Sequence, residues 1–92
     1  MNEEITPQMK AVAMASHFYP ILKQIIHLAT VAEEKLSVIP QYGEFVRESK
    51  LLCFHFADLC KAGDIDAMVA RFQQTLLCAV AAQQSTTQSQ VN

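Results

Sequence analysis

A long series of apolar residues, spaced alternately three and four apart, constrains the fold of this chain more than any other feature. The series comprises Ala11, Ala15, Phe18, Leu22, Ile25, Ala29, Ala32 and Leu36. Because this spacing returns side chains to one side of an α-helix, it predicts a helix that buries a single seam. No strand-like alternation appears along the chain, which has only two glycines. The sequence therefore predicts an all-α fold.

The first helix is predicted to span about residues 6–37. Thr6 can cap its start, and Pro7 suits the first helical position, where a backbone N–H is not needed. Pro20 leaves two alternatives: one long helix kinked at that proline, or two helices that meet just before it. An interior proline costs about 3 kcal/mol, but Tyr19 is a poor cap and no glycine marks a break. The kinked single helix is the favoured interpretation.

Two further helices, at about residues 41–62 and 64–84, are predicted to form an antiparallel hairpin packed on the first. Gly63 can end a helix in the left-handed conformation, and Asp64 can cap the next one. The second helix is expected to bury one seam, Tyr42, Phe45, Ser49, Leu52, Phe56 and Leu59, with Val46, Cys53 and Cys60 beside it. The third is expected to bury one face, Ile65, Met68, Val69, Phe72, Leu76 and Val80. The predicted architecture is a small antiparallel helical bundle.

The length of 92 residues corresponds to one domain. Residues 1–84 are predicted to form that helical domain. Residues 85–92 consist of Ser, Thr, Gln and Asn, apart from Val91, and are predicted to be a disordered polar tail.

Composition limits the partners that this chain is expected to have. Charged residues make up 17%, against about 25% in an average protein, which indicates that part of the surface is covered by another molecule. The seven Lys and Arg residues are scattered, so a nucleic-acid partner is not expected. Polar residues interrupt every apolar stretch before the roughly 20 residues needed to cross a bilayer, and no signal peptide is visible. We therefore expect a cytoplasmic protein without a membrane partner.

No residue pattern specifies a reaction, a metal, a cofactor or a small-molecule substrate, so a non-enzymatic role is expected. The residues whose side chains could take part in such chemistry are His17, His27, His55, Asp58, Cys53, Cys60 and Cys78. Their spacings do not match zinc-ligand patterns. His55 and Asp58 could touch at a spacing of three, which is more typical of a surface pair than of a catalytic pair. The cysteines are interpreted as buried free thiols in a reducing compartment.

The stretch 51–60 contains the main anomaly of the sequence. Two of its large apolar side chains, Leu51 and Phe54, fall on the side of the second helix that otherwise carries charged residues. Large side chains at the centre of a patch often dominate binding energy. The predicted partner or dimer interface consists of Tyr42, Leu51, Phe54, His55 and Asp58.

These features predict a regulator, antiactivator or adaptor that acts by protein–protein interaction. Two alternatives for the interface stay open: a homodimer seam, or a site for a different protein. A secretion or assembly chaperone that shields one client is an alternative function.

The segment 54–68 resembles the last helical hairpin of histidine phosphotransfer domains, in which an Ala-Gly-Asp turn, here Ala62-Gly63-Asp64, joins two helices. The resemblance implies an all-α fold and, as a further alternative, a degenerate phosphotransfer-like domain. The family places Leu-Lys-Gly after its phosphoacceptor histidine. In this chain, Phe-Tyr-Pro follows His17, Leu-Ala-Thr follows His27 and Phe-Ala-Asp follows His55. No histidine is therefore assigned the phosphoacceptor role.

Overall fold

The computed structural model describes residues 6–91, with side chains as far as residue 85. This part of the chain contains three α-helices: α1 (Pro7–Glu34), α2 (Gly43–Ala62) and α3 (Ile65–Val91). A 3₁₀ turn, Pro40–Tyr42, leads into α2. Because α2 packs against both α1 and α3, it is the central helix. The predicted all-α class, with a first helix followed by a packed hairpin, is confirmed.

The helix α1 starts as its sequence predicts and continues through Pro20. The Thr6 hydroxyl accepts a hydrogen bond from the Met9 N–H at 3.1 Å. Pro20 cannot donate to the carbonyl of Ser16, four residues earlier, but both residues are exposed, so water can satisfy that carbonyl. The single helix, rather than two helices, is the correct alternative.

The connection between α2 and α3 also follows the prediction. Gly63 adopts the left-handed conformation, with φ of 69°, and its N–H donates to the carbonyls of Leu59 and Cys60. The Asp64 carboxylate accepts a hydrogen bond from the Ala67 N–H at 3.1 Å. These bonds satisfy backbone groups that would otherwise lack a partner at the two helix ends.

The helix α3 extends to Val91 and so passes the predicted end at residue 84. Residues 1–5, the side chains of residues 86–91 and all of Asn92 lie outside the described part of the chain. The disorder predicted for residues 85–92 therefore stays a prediction.

The core follows the predicted seams of α1 and α2. On α1 the buried side chains are those of the predicted series from Phe18 to Ala32, together with Met14. Phe45, Ser49 and Leu52 are the buried members of the α2 seam, and the other three are half-buried. The rings of Phe18 and Phe72 lie 5.5 Å apart, so α1 and α3 also meet directly.

Two predictions about the core are wrong. Cys53 is exposed rather than buried, because it lies at the edge of the contact between α1 and α2. Of the six residues predicted to form the core face of α3, only Met68 and Phe72 are buried. The other four, Ile65, Val69, Leu76 and Val80, are 58%, 36%, 40% and 46% exposed.

The orientation of α3 explains this second error. Met68 and Thr75 are both fully buried in the bundle. At 3.6 residues per turn, the four exposed residues lie roughly 60–120° around the helix from Met68. Apolar residues thus cover a wider arc of α3 than its neighbours can bury.

The bundle is elongated. It measures 66 × 20 × 16 Å, and its radius of gyration is 16.3 Å, against roughly 12 Å for a compact domain of this length. Its surface of 6579 Å² exceeds the roughly 5,400 Å² expected for a compact monomer of its mass. Three helices arranged in this way leave long helix faces without a neighbour.

Candidate functional site

An apolar groove runs between α1 and α3, and the start of α2 lies at its floor. We call it the α1–α3 groove. Its volume is about 430 Å³, and its lining residues are Leu28, Val31 and Ala32 of α1, Lys35 at the end of that helix, Tyr42 and Phe45 at the floor, and Leu76, Ala79, Val80 and Gln83 of α3. Lys35 is the one charged residue among them. The groove is therefore a mostly apolar surface with polar groups at one end.

The pattern of apolar residues on the two wall helices creates this groove. On α1, Ile25, Ala29 and Ala32 form the buried seam, whereas Leu28 and Val31 lie beside it and are 51% and 36% exposed. On α3, Leu76 and Val80 lie beside the buried seam in the same way. Each wall side chain is thus partly packed against the domain and partly free to contact another molecule.

The apolar surface of α3 continues beyond the groove toward the start of the helix. Val69 lies two turns before Leu76 on the same side, and Ile65 lies one turn before Val69. On α1, Ile21 lies two turns before Leu28 and is 38% exposed. Exposed apolar residues thus accompany both wall helices over several turns.

The predicted interface residues do not form one site. Tyr42 is half-buried at the floor of the α1–α3 groove. The other four, Leu51, Phe54, His55 and Asp58, are exposed on α2. At 1.5 Å per helical residue, Leu51 and Phe54 lie roughly 14 Å and 18 Å from Tyr42 along the axis of α2.

The outer face of α2 is a weaker candidate than the groove. Phe54 is 80% exposed, and its ring contacts the His55 ring in a T-shaped arrangement, with centroids 5.2 Å apart. Leu51 is 37% exposed. Arg47 and Lys50 on the same helix form ion pairs with Glu44 and Glu33. One protruding ring among charged side chains offers less continuous apolar surface than the groove does.

His55 and Asp58, which could touch at their spacing of three, do not form an ion pair in the described part of the chain. The ion pairs of the described residues join Arg47, Lys50 and Arg71 to glutamates, and none includes His55 or Asp58. The imidazole of His55 therefore lacks the carboxylate that would orient it for proton transfer.

The cysteine thiols lie in surroundings that favour their protonated form. Burial raises the pKa of Cys53, Cys60 and Cys78 above the ordinary value of 9.0. Activation as a nucleophile requires a shift in the opposite direction. Cys53 lines a small cleft of about 150 Å³ between α1 and α2, beside the buried Ser49.

The described residues provide no metal site, and α1 alone provides no enclosed cavity. No group of three or more His, Cys, Asp or Glu side chains is placed to hold a metal ion there. A depression on α1 around Tyr19, Lys23 and His27 is lined by that helix alone, so it cannot enclose a ligand. Among the described residues, no helix has the length and apolar character needed to span a bilayer.

Comparison with known proteins gives no assignment: no family model, no curated protein and no solved structure matches this chain. The surface of the molecule is therefore the basis for a functional proposal.

Sequence reasoning identified only Tyr42 among the residues that line the groove as part of an interface. Leu76 and Val80 recur at helical spacing, which predicts that they belong to the core. The signal that could have separated them is the width of the apolar arc, since Met68 and Thr75 occupy a different side of α3 from Leu76 and Val80. Leu28 and Val31 are apolar residues that lie outside the α1 seam. Apolar residues beyond a single seam are a second signal of an apolar surface that the domain does not bury.

Proposed function

We propose that this chain is a small non-enzymatic cytoplasmic protein that acts by protein–protein interaction, through the α1–α3 groove and as a homodimer. Within this proposal its role is that of a regulator, antiactivator or adaptor. The observation that carries it is the open apolar groove, whose wall residues Leu28, Val31, Leu76 and Val80 are 36–51% exposed.

The arrangement of these side chains supports the proposal more than their number does. Single apolar residues on a surface are ordinary, whereas a continuous apolar patch marks an interaction site. Here two helices hold apolar side chains on both walls, and the buried Phe45 forms the floor. A rigid groove between helices suits an amphipathic helix, which presents apolar residues at matching helical spacing.

A chaperone that shields one client is the second candidate. It is favoured by one feature of the groove: the groove is open in the single chain rather than covered by another part of the described residues. A regulator with a permanent partner and a chaperone with a temporary client would use the same surface. The two roles differ in the lifetime of the complex, because the chaperone would release its client and the regulator would keep its partner.

Covalent footprinting with a photoactivated carbene tests the proposed function, because carbene labels exposed side chains irrespective of chemistry. The tagged chain is labelled in its native extract and, separately, after purification and dilution. We expect Leu28, Val31, Leu76 and Val80 to be labelled less in the extract than after dilution. Leu77, which is 65% exposed on α3 outside the groove, is the matched control and should label equally in both.

Equal labelling of the groove residues in extract and in diluted protein would overturn the proposed interaction through this groove. Protection of Leu51 and Phe54 instead would move the interaction surface to the outer face of α2.

A further inference from the structure

We propose that the occupant of the α1–α3 groove is a second copy of this chain, with two copies meeting groove to groove about a two-fold axis. This inference rests on the proposed function and specifies its partner. It also places the dimer seam on α1 and α3 and leaves the outer face of α2, with Leu51 and Phe54, outside the seam.

The elongated chain exposes enough surface to form a standard dimer contact. The chain exposes 6579 Å², which is roughly 1,200 Å² more than a compact monomer of its mass. Each partner in a standard protein–protein interface buries about 800 Å². The groove walls are where such a contact can form, because exposed apolar residues accompany α1 and α3 over several turns.

The charge of the groove surface allows the grooves of two copies to contact each other. A two-fold contact places the same surface on both sides, so a face with charges of one sign repels its copy. The groove carries one charged residue, Lys35, at one end. Residues 72–92, which include the α3 wall, contain no charged residue. The centre of the face is therefore neutral and free of such repulsion.

The spacing of residues on α3 provides a seam for the second copy. Val69, Phe72, Leu76 and Ala79 alternate at intervals of three and four, and Val80 lies next to this line. This is the spacing by which one helix packs along another. Phe72 is buried, whereas Val69, Leu76 and Val80 keep 36–46% of their surface exposed. In the dimer, Leu76 and Val80 of each copy fill the groove of the other.

Sedimentation equilibrium on the purified full chain tests this inference with three matched variants: Leu76→Glu in the groove, Leu77→Glu on the next residue of the same helix, and Leu51→Glu on α2. We expect the wild-type chain to be a dimer at about 100 µM. Leu76→Glu should weaken dimerisation at least about a hundredfold, because its carboxylate would be buried without a partner. Leu77→Glu and Leu51→Glu should leave the dimer constant within about threefold.

Circular dichroism of each variant shows whether its helices are intact. If Leu76→Glu is unfolded, Leu28→Glu on the opposite wall decides the question, since Leu28 is 51% exposed and the same loss of dimer is expected. Unchanged dimerisation of the folded groove variant would overturn the inference.

The outcomes also separate this inference from the proposed function. A wild-type chain that stays monomeric while its groove is protected in native extract would refute the second copy as occupant but retain an interaction through the groove. Dissociation by Leu51→Glu, and not by Leu76→Glu, would place the dimer on α2. A monomer with an unprotected groove would refute both.

Discussion

Replacing Ser49 with alanine should stabilise this protein, although the side chain is in the middle of the core. Ser49 is 2% exposed, and its hydroxyl has no hydrogen-bond partner among the described residues. A buried hydroxyl without a partner costs about 1–3 kcal/mol. Alanine also has a higher helix propensity than serine, by about 0.5 kcal/mol. The small volume lost with the oxygen offsets part of this gain.

The expected result for Ser49→Ala is a rise of about 1–2 kcal/mol in the free energy of unfolding. At about 4–8 °C per kcal/mol for a domain of this size, the thermal midpoint should rise measurably. Urea unfolding followed by circular dichroism measures the change, with wild type and variants at one protein concentration because association also affects stability.

Thr75→Val provides the matched control. Thr75 is fully buried on α3, but its hydroxyl donates to the Arg71 carbonyl at 2.9 Å. Removing that satisfied hydroxyl should lower the free energy of unfolding by about 0.5–1.5 kcal/mol. The reasoning is refuted if Ser49→Ala is destabilising, since the Ser49 hydroxyl would then have a partner that contributes to stability.

Two further predictions concern backbone conformation and thiol chemistry. Gly63→Ala should lower the free energy of unfolding by about 1 kcal/mol, because the left-handed φ of 69° is unfavourable for a residue with a Cβ. Gly43→Ala should be neutral or stabilising by up to about 1 kcal/mol, since its φ of −57° is helical and its added Cβ would meet only the Leu36 side chain at 3.9 Å. Equal losses in the free energy of unfolding for Gly63→Ala and Gly43→Ala, measured by urea unfolding, would contradict these two predictions. The raised pKa of all three cysteine thiols predicts slower alkylation by iodoacetamide at pH 7.5 in the folded chain than in urea. Faster alkylation of the folded chain would refute this prediction. The raised thiol pKa also predicts a contribution to the free energy of unfolding that is complete below the ordinary thiol pKa of 9.0 and is lost as the pH rises through the higher folded pKa.

Most of the fold could be predicted from the sequence because its helix signals act over short distances. The three–four spacing of α1, the cap at Thr6 and the left-handed Gly63 each depend on residues within a turn or two. The sequence leaves two alternatives at Pro20, because the passage of α1 through it depends on whether the freed carbonyl of Ser16 can reach water. Exposure of that part of the helix in the bundle settles it.

The candidate site was harder to predict because it depends on which arc of each helix finds a neighbour. Leu76 and Met68 both fit a helical apolar pattern, yet Met68 is fully buried in the core and Leu76 is 40% exposed. Helical periodicity alone does not separate two adjacent apolar seams on one helix. Phe54 is recognisable in the sequence because it lies among charged residues on one helix face. The groove residues are not, because they lie beside other apolar residues on their helices.

The central claim, that a second copy fills the α1–α3 groove, is tested most directly by isotope-filtered NMR on a dimer mixed from labelled and unlabelled chains. Intermolecular NOEs between the Leu76 methyls of one copy and the Leu28 and Val31 methyls of the other are the predicted result. Intermolecular NOEs that instead involve Leu51 and Phe54, or none at a concentration where the protein is a dimer by sedimentation, would contradict the account.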